Sequence, residues 1–262
     1  MDILNAILLG LIQGLTEFLP VSSSGHIELG KAILGSVQET GLDFSILVHV
    51  ATALSTVIVF RKDIGQLLQQ IFAGKREALM YAAMLIASAV PVAVVGLGFK
   101  DQLEALFEGR ILLVGCMLLV TALLLYLTIR VKKHDKTISF KEALMMGLAQ
   151  TVAILPGISR SGATIATALL MRVDKEEAAR FSFLMVLIPI FGQALLDGID
   201  FASGEAAWEL DTGIAIAGFL AAFLSGLFAC TAMLRIVKRG KLFYFSIYCA
   251  IVGLIAIITS LI

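Results

Sequence analysis

Charge is scarce in this chain. Only 15% of its 262 residues are Asp, Glu, Lys or Arg, against 59% hydrophobic residues, and the mean hydropathy is +0.98. A water-soluble globule is excluded, because its surface would have to be largely apolar. The twenty basic and twenty acidic side chains cancel, so the charge balance points to no nucleic-acid partner. Cysteine is sparse too. Cys116, Cys230 and Cys249 fall in separate apolar runs at no shared spacing, which suggests neither a disulfide framework nor a zinc site; they read as packing residues. No Ser/Gly/Pro-rich linker or polar domain interrupts the chain. Met1-Asp2 leads into an apolar stretch without a basic region or a small-residue cleavage site, so no removable signal peptide is expected.

What the chain has instead is apolar length. Runs able to cross roughly 30 Å of hydrocarbon lie at 44–60, 79–98, 111–131, 181–196, 213–234 and 242–262. Six spans are predicted, three in each half. Residues 3–19 and 142–155 are apolar but short. Each runs into a Pro/Gly/Ser bend followed by a second short helix, 27–35 and 163–171, the pattern of a re-entrant hairpin. Irregular backbone at membrane depth is tolerated only where protein or a wet cavity satisfies it, so both bends are expected to face a pocket.

The two hairpins carry one phrase twice. Gly10-Leu11-Ile12-Gln13 leads to Leu19-Pro20-Val21-Ser22-Ser23-Ser24-Gly25-His26, and Gly147-Leu148-Ala149-Gln150 leads to Leu155-Pro156-Gly157-Ile158-Ser159-Arg160-Ser161-Gly162. The copies are about 137 residues apart, and the same offset sets Phe44-Ser45 on Phe181-Ser182. The expected fold is an all-α integral membrane protein of two repeats, 1–135 and 136–262, each a re-entrant hairpin (3–35, 142–172) plus three transmembrane helices. Lys and Arg cluster in 61–78, 130–141 and 235–241, whereas the predicted loop 197–211 holds Asp197, Asp200, Glu205, Glu209 and Asp211 without a basic residue. The loop at 99–110 is mixed with a slight acidic excess, and 172–180 is balanced. By the positive-inside rule the three basic loops are cytoplasmic and both termini lie outside. An odd number of spans per half then makes the repeats inverted, so that the two bends can meet near the bilayer midplane.

Polar side chains at such depth are costly and usually functional. Gln13 and Glu17, four apart on a helix, share one face. A glutamate there needs a partner, a proton or a metal, and the alternative is a helix-end carboxylate reaching water. Ser22, Ser23, Ser24 and Gly25 offer hydroxyls and backbone N–H groups for an anion cradle, or simply an N-cap. His26 follows as a nucleophile or general acid, weighed against an interhelical hydrogen-bonder. His49, with Thr52 on the same face, is a proton relay or pocket lining on one reading and a packing polar on the other. His134, in a basic loop, carries no role. In the second half Ser159, Arg160, Ser161 and Thr164 form a clamp for phosphate or carboxylate. The anion Arg160 requires is Glu17 at rest or a substrate phosphate that displaces it.

Gln13-x-x-x-Glu17, Pro20-Val21-Ser22-Ser23-Ser24-Gly25-His26 and Pro156-Gly157-Ile158-Ser159-Arg160-Ser161-Gly162-Ala163-Thr164 together resemble the bacterial undecaprenyl-diphosphate phosphatase, or bacitracin-resistance, family over essentially the whole chain. The resemblance implies hydrolysis of a C55 isoprenyl diphosphate carrier to the monophosphate in the bacterial plasma membrane, recycling the lipid for peptidoglycan synthesis. It also implies a divalent cation, Mg2+ or Ca2+. Glu17 becomes the essential acidic residue and tentative metal ligand, His26 and Ser23 the competing nucleophiles, and Arg160 the phosphate-binding arginine. Gln13, Ser22, Ser24, Gly25, Ser159, Ser161 and Thr164 would line the phosphate site, near the outer-leaflet side. Gln13 stands where some members have a glutamate, which removes one carboxylate from any metal site. The signature of another lipid-phosphatase class, a downstream His-Asp pair, does not fit, because no histidine follows His134. A transporter or flippase of a polyprenyl phosphate or other anionic lipid is the competing reading, since inverted repeats with broken helices also build transporters. Glu17 beside His26 discriminates, because binding alone would not require them. A non-catalytic scaffold explains none of the buried polar residues. The sequence leaves the oligomeric state open, with a homodimer one compatible arrangement.

Overall fold

A computed structural model describes residues 1–34, 42–99, 102–103, 110–203 and 210–261. The described chain is helical, its longer elements joined by short turns: α1 (Ile3–Phe18), α2 (Ser23–Leu34), α3 (Leu42–Val59), α4 (Arg61–Phe72), α5 (Arg76–Gly98), α6 (Ile111–Leu127), α7 (Phe140–Val152), α8 (Arg160–Leu170), α9 (Lys175–Met185), α10 (Leu187–Ser203), α11 (Thr212–Lys238) and α12 (Phe243–Leu261). Small polar residues start several of them. Asp2 accepts from the Asn5 amide at 2.7 Å, Asp211 from Gly213 at 2.8 Å, and Asp174 from Glu176 at 2.9 Å, each satisfying an N–H that the helix itself leaves unpaired.

Five helical stretches are long and apolar enough to cross a membrane, and α3 makes a sixth if counted with α4 across the 73° bend between them. The lateral surface is greasy: Leu224 and Phe228 of α11, Leu254 and Ile258 of α12 and Val94 of α5 are all more than half exposed. The inward face of α11 is the reverse, with Gly218, Ala222, Ser225, Gly226 and Ala229 buried. Large apolar groups outside and small groups inside describe helices packed in lipid, where close backbone approach replaces hydrophobic burial as the driving force. The protein is an all-helical, multi-pass integral membrane protein.

Glycines set two of the helix crossings. α1 lies along α11 with Gly10 against Gly218, and α7 lies along α5 with Gly147 directly over the Ser88 backbone. A Cβ at either glycine would collide with a main-chain carbonyl. α6 pairs with α12, and α3 fills the space between α11 and α10.

Three sequence expectations need correction. Residues 61–78 are not all loop, because α4 occupies most of them. Its Ile64 and Leu67 pack on the core while Gln66, Gln69 and Gln70 face away, an amphipathic pattern too polar on average to register as an apolar run. The second arm of the first hairpin starts at Ser23 rather than 27. Helix α10 continues to Ser203, so Asp197 lies in a helix and is buried rather than in an outer loop; Glu205 and Glu209 lie outside the described residues.

Candidate active site

Both bends that interrupt the hairpins are stabilised by the same short-range bonding. Ser22 Oγ accepts from the Gly25 amide at 3.2 Å and lies 3.4 Å from Ser24 Oγ, while Ser159 Oγ accepts from the Gly162 amide at 3.0 Å and lies 3.3 Å from Ser161 Oγ. The first serine of each bend, Ser22 or Ser159, therefore caps the helix that follows. The backbone reaches these caps through left-handed residues, Ser22 at φ 71° and Gly157 at φ 99°. Gly157 has a second reason to lack a side chain, since a Cβ there would press on the Val114 carbonyl. The bends also touch each other. Ser161 Oγ donates to the Leu19 carbonyl at 3.2 Å, and Gly25 faces Gly157 so closely that a Cβ at Gly25 would lie 3.1 Å from the Gly157 Cα.

This contact brings charge together. Glu17, one residue before the end of α1, has a side chain only 7% exposed, and both its oxygens are occupied. Oε2 accepts from Gln13 Nε2 at 2.9 Å and from Ser23 Oγ at 2.6 Å; Oε1 pairs with the Arg160 guanidinium at the start of α8. His49 of α3 approaches from a third side, its Nε2 3.9 Å from Glu17 Oε2. One carboxylate thus holds an amide, a hydroxyl and a guanidinium in place. A buried ion pair satisfied in this way is costly to break, because losing one partner strands the other, at about 3–5 kcal/mol.

Two openings adjoin the cluster. A narrow cleft is lined by Glu17, Arg160, Ser161, Ser182, Thr52 and Thr56. Beside it lies a cavity of about 600 Å³ with Arg160 and His49 on one wall and a predominantly apolar remainder that includes Ile46, Val50, Val92, Leu97, Ile188 and Leu196. Side-chain exposures of 26% for Arg160 and 28% for His49, against 7% for Glu17, mark the first two as the groups that reach open space.

The remaining candidates divide. Ser161 borders the narrow cleft. Ser159 is buried, its Oγ taken by the Gly162 amide and its own amide donating to Thr121 Oγ1 at 3.0 Å. Thr164 is buried and bonded to Ser182 Oγ at 2.6 Å. Ser22 and Gly25 are buried in their turn, and Ser24 contacts Ser22. His26 is not drawn into the cluster. Its Nδ1 is 2.8 Å from the Ser22 carbonyl and its Nε2 2.8 Å from the Tyr248 hydroxyl on α12, with the two rings stacked. Sequence reasoning did not single out Tyr248, Thr56 or Thr121. Of these, Thr56 alone carried a readable signal, since it lies one turn beyond Thr52 on the α3 face that Thr52 shares with His49.

Fold and site define a class: a polytopic helical membrane protein in which two crossed bends hold a buried carboxylate and guanidinium at the edge of an apolar cavity. Comparison with known proteins narrows it. Residues 6–255 match the family model described as "Bacitracin resistance protein BacA", and the chain belongs to that family. Relatives named undecaprenyl-diphosphatase include one from Christiangramia forsetii, 54% identical over 262 residues and 98% of each chain. Another from Bacteroides fragilis is 50% identical over 99% of each, and one from Syntrophotalea carbinolica is 40% identical over 97% of each.

Proposed function

We propose that this protein hydrolyses undecaprenyl diphosphate, the compound in its relatives' name, to undecaprenyl phosphate and inorganic phosphate, recycling the lipid carrier for peptidoglycan synthesis and conferring bacitracin resistance. The observation that carries the reading is the Glu17–Ser23–Arg160 cluster at the edge of a 600 Å³ cavity of mainly apolar lining. A diphosphate lipid needs those two surfaces in that order. Its terminal phosphate needs a planar cation and hydroxyl donors, and its tail needs a greasy channel.

Cleavage of the phosphoanhydride requires charge neutralisation on the terminal phosphoryl group and an in-line nucleophile. Arg160, now paired with Glu17, would turn its second face to the phosphate. Of the two candidate nucleophiles, Ser23 is favoured, since its hydroxyl already donates to the Glu17 carboxylate, the base its activation requires. Glu17 would take the serine proton, with Gln13 holding the carboxylate in place. A divalent cation fits the donor set: among the described residues Gln13 Oε1 is buried without a hydrogen-bond partner, next to the one carboxylate of the cluster. Mg2+ is commonly held by one or two protein oxygens together with substrate phosphates, so Glu17 and Gln13 would suffice. Such an ion would neutralise phosphate charge.

The same proposal includes an inverted duplication of 1–135 and 136–262, both termini outside, and the site facing the outer leaflet. In support, the Ser22/Ser24/Gly25 and Ser159/Ser161/Gly162 turns share one bonding pattern. Helix α1 crosses α11 of the other half through Gly10, as α7 crosses α5 through Gly147. Transport of a polyprenyl phosphate, the competing function, would use the cavity and Arg160 but gives no task to the Ser23–Glu17 pair. Phosphate release from undecaprenyl diphosphate by purified protein, with and without EDTA, tests the reading. Release that survives EDTA would remove the cation and keep the phosphatase; no release under either condition would remove both.

A further inference from the structure

A further pocket of about 450 Å³ lies at the basic end of the molecule and shares no residue with the openings beside Glu17. It forms where α6 and α11 end and α12 begins. Leu169, Val237 and Leu242 make its buried floor, and Tyr126, Ile129 and Phe243, each more than two-fifths exposed, make an apolar rim. Helices α6 and α12 are long and apolar enough to cross a membrane, so their ends lie where hydrocarbon meets headgroups, the level at which aromatic side chains concentrate. The polar wall carries Lys175, at the start of α9. Its Nζ lies over the backbone of Gly240, a left-handed residue (φ 67°) two positions beyond α11, where a Cβ would sit 3.0 Å from the ammonium.

Positive charge around this pocket is largely unopposed. Segments 128–141 and 235–241 hold nine Lys and Arg side chains against one carboxylate, Asp135. The nearby acidic groups are committed elsewhere: Asp135 to Lys133 at 2.7 Å, Glu176 to Lys238 at 2.8 Å, Asp174 to the Glu176 and Glu177 amides, and Glu177 to the Ile138 amide at 3.0 Å. Among the described residues neither Lys175 nor Arg130 forms an ion pair. The Arg130 guanidinium sits instead 5.8 Å from the centre of the Tyr126 ring, at the rim. The end of α11 offers Lys175 the negative pole of a helix dipole, but the Arg235, Ile236 and Val237 carbonyls already accept from the amides of Arg239, Lys241 and Gly240. Two unpaired cations on one side and an apolar, aromatic rim on the other match an amphiphile with an anionic head.

We infer that this pocket binds the headgroup of an anionic phospholipid of the phosphatidylglycerol type, drawn from the leaflet at the basic end. Its phosphate lies between Lys175 and Arg130, and its acyl chains leave past Tyr126, Ile129 and Phe243 along the exposed sides of α6 and α12. A zwitterionic headgroup such as phosphocholine carries its own cation and does not match two unopposed positive charges. A free phosphate ion would leave the apolar rim without a contact. Bound there, the lipid ties the end of α6 to the starts of α9 and α12, on either side of the basic seam, and stabilises the folded protein by mass action. None of this depends on the reaction at Glu17.

The test is thermal melting of the purified protein in dodecyl maltoside micelles, with added dioleoylphosphatidylglycerol or the same amount of dioleoylphosphatidylcholine. Phosphatidylglycerol is expected to raise the wild-type melting temperature by several degrees in a saturable way, and phosphatidylcholine to leave it nearly unchanged. Lys175→Gln and Arg130→Gln should each lose more than half of that rise. Lys132→Gln removes the same charge from the seam outside the pocket and should keep it. Arg130 is exposed, so its variant carries the comparison even where Lys175→Gln does not fold. Glycerol phosphate, which has the head without the chains, should give no rise. Equal rises from the two lipids, or a rise that survives substitution of Arg130 and Lys175, would overturn the site. A loss in Lys132→Gln as large as in Arg130→Gln would overturn it by showing diffuse surface attraction, and a full rise from glycerol phosphate by showing an ion site in place of a lipid site.

Discussion

Arg160 and Glu17, 143 residues apart in sequence, form an ion pair that joins the bend of the second hairpin to the end of α1 in the first. Its position beside the cavity makes Arg160 the group able to exchange one anion for another. Arg160→Lys keeps the charge and loses the planar two-point grip, so it is expected to be nearly as damaging as Arg160→Ala. The expected loss is about 2–4 kcal/mol of transition-state stabilisation, or roughly thirtyfold to a thousandfold in turnover. Steady-state phosphate release checks it. Near-normal turnover in the lysine variant would make the arginine merely electrostatic.

Replacement of the two candidate nucleophiles should give opposite outcomes. Ser23→Ala removes the hydroxyl bonded to Glu17 and is expected to abolish hydrolysis while leaving substrate binding within a few-fold. His26→Ala removes a bond to Tyr248 and is expected to retain measurable turnover. A dead His26→Ala enzyme that still binds substrate, together with an active Ser23→Ala enzyme, would move the nucleophile to the imidazole.

The helix crossings predict a stability contrast. Gly147→Ala places a methyl group against the Ser88 carbonyl and should lower thermal stability in detergent, with overpacking of this kind costing about 1–3 kcal/mol. Gly65→Ala on the exposed face of α4 meets nothing within 4 Å and should be neutral or stabilising, by up to about 1 kcal/mol. Equal melting temperatures for the two variants would contradict the close α5–α7 approach.

Topology is open to labelling. With exposed Cys116 removed, Ser203→Cys at the end of α10 is expected to react with an impermeant maleimide in intact cells. Lys133→Cys, in the basic seam between the halves, should react only after permeabilisation. The reverse pattern would overturn the proposed orientation.

The parts of this site visible in the sequence are those made by local chemistry. Gln13 and Glu17 lie one helical turn apart, and the serine caps follow directly, so their bonds depend on short-range geometry alone. The Arg160–Glu17 pair was legible as an alternative, because a buried guanidinium demands some anion. What stayed hidden depends on how helices pack: the ring of His26 turned to Tyr248, Thr164 closed off by Ser182, and Ser161 bonded to Leu19 across the two bends. Adjacency in the phrase placed His26 in the same group as Glu17, but side-chain direction, set by contact with α12, separates them. Helix α4 escaped because its amphipathic periodicity averages to low hydropathy, and Asp197 because an acidic residue near a span end reads as loop when its Gln193 partner is unknown.

The most direct test of the central claim is the yield of inorganic phosphate and of undecaprenyl phosphate from undecaprenyl diphosphate, measured on purified protein in liposomes, for wild type and Glu17→Gln. The account predicts equal amounts of the two products from wild type and essentially none from the variant. Wild-type protein that releases no phosphate, or a Glu17→Gln variant that releases it at the normal rate, would contradict it.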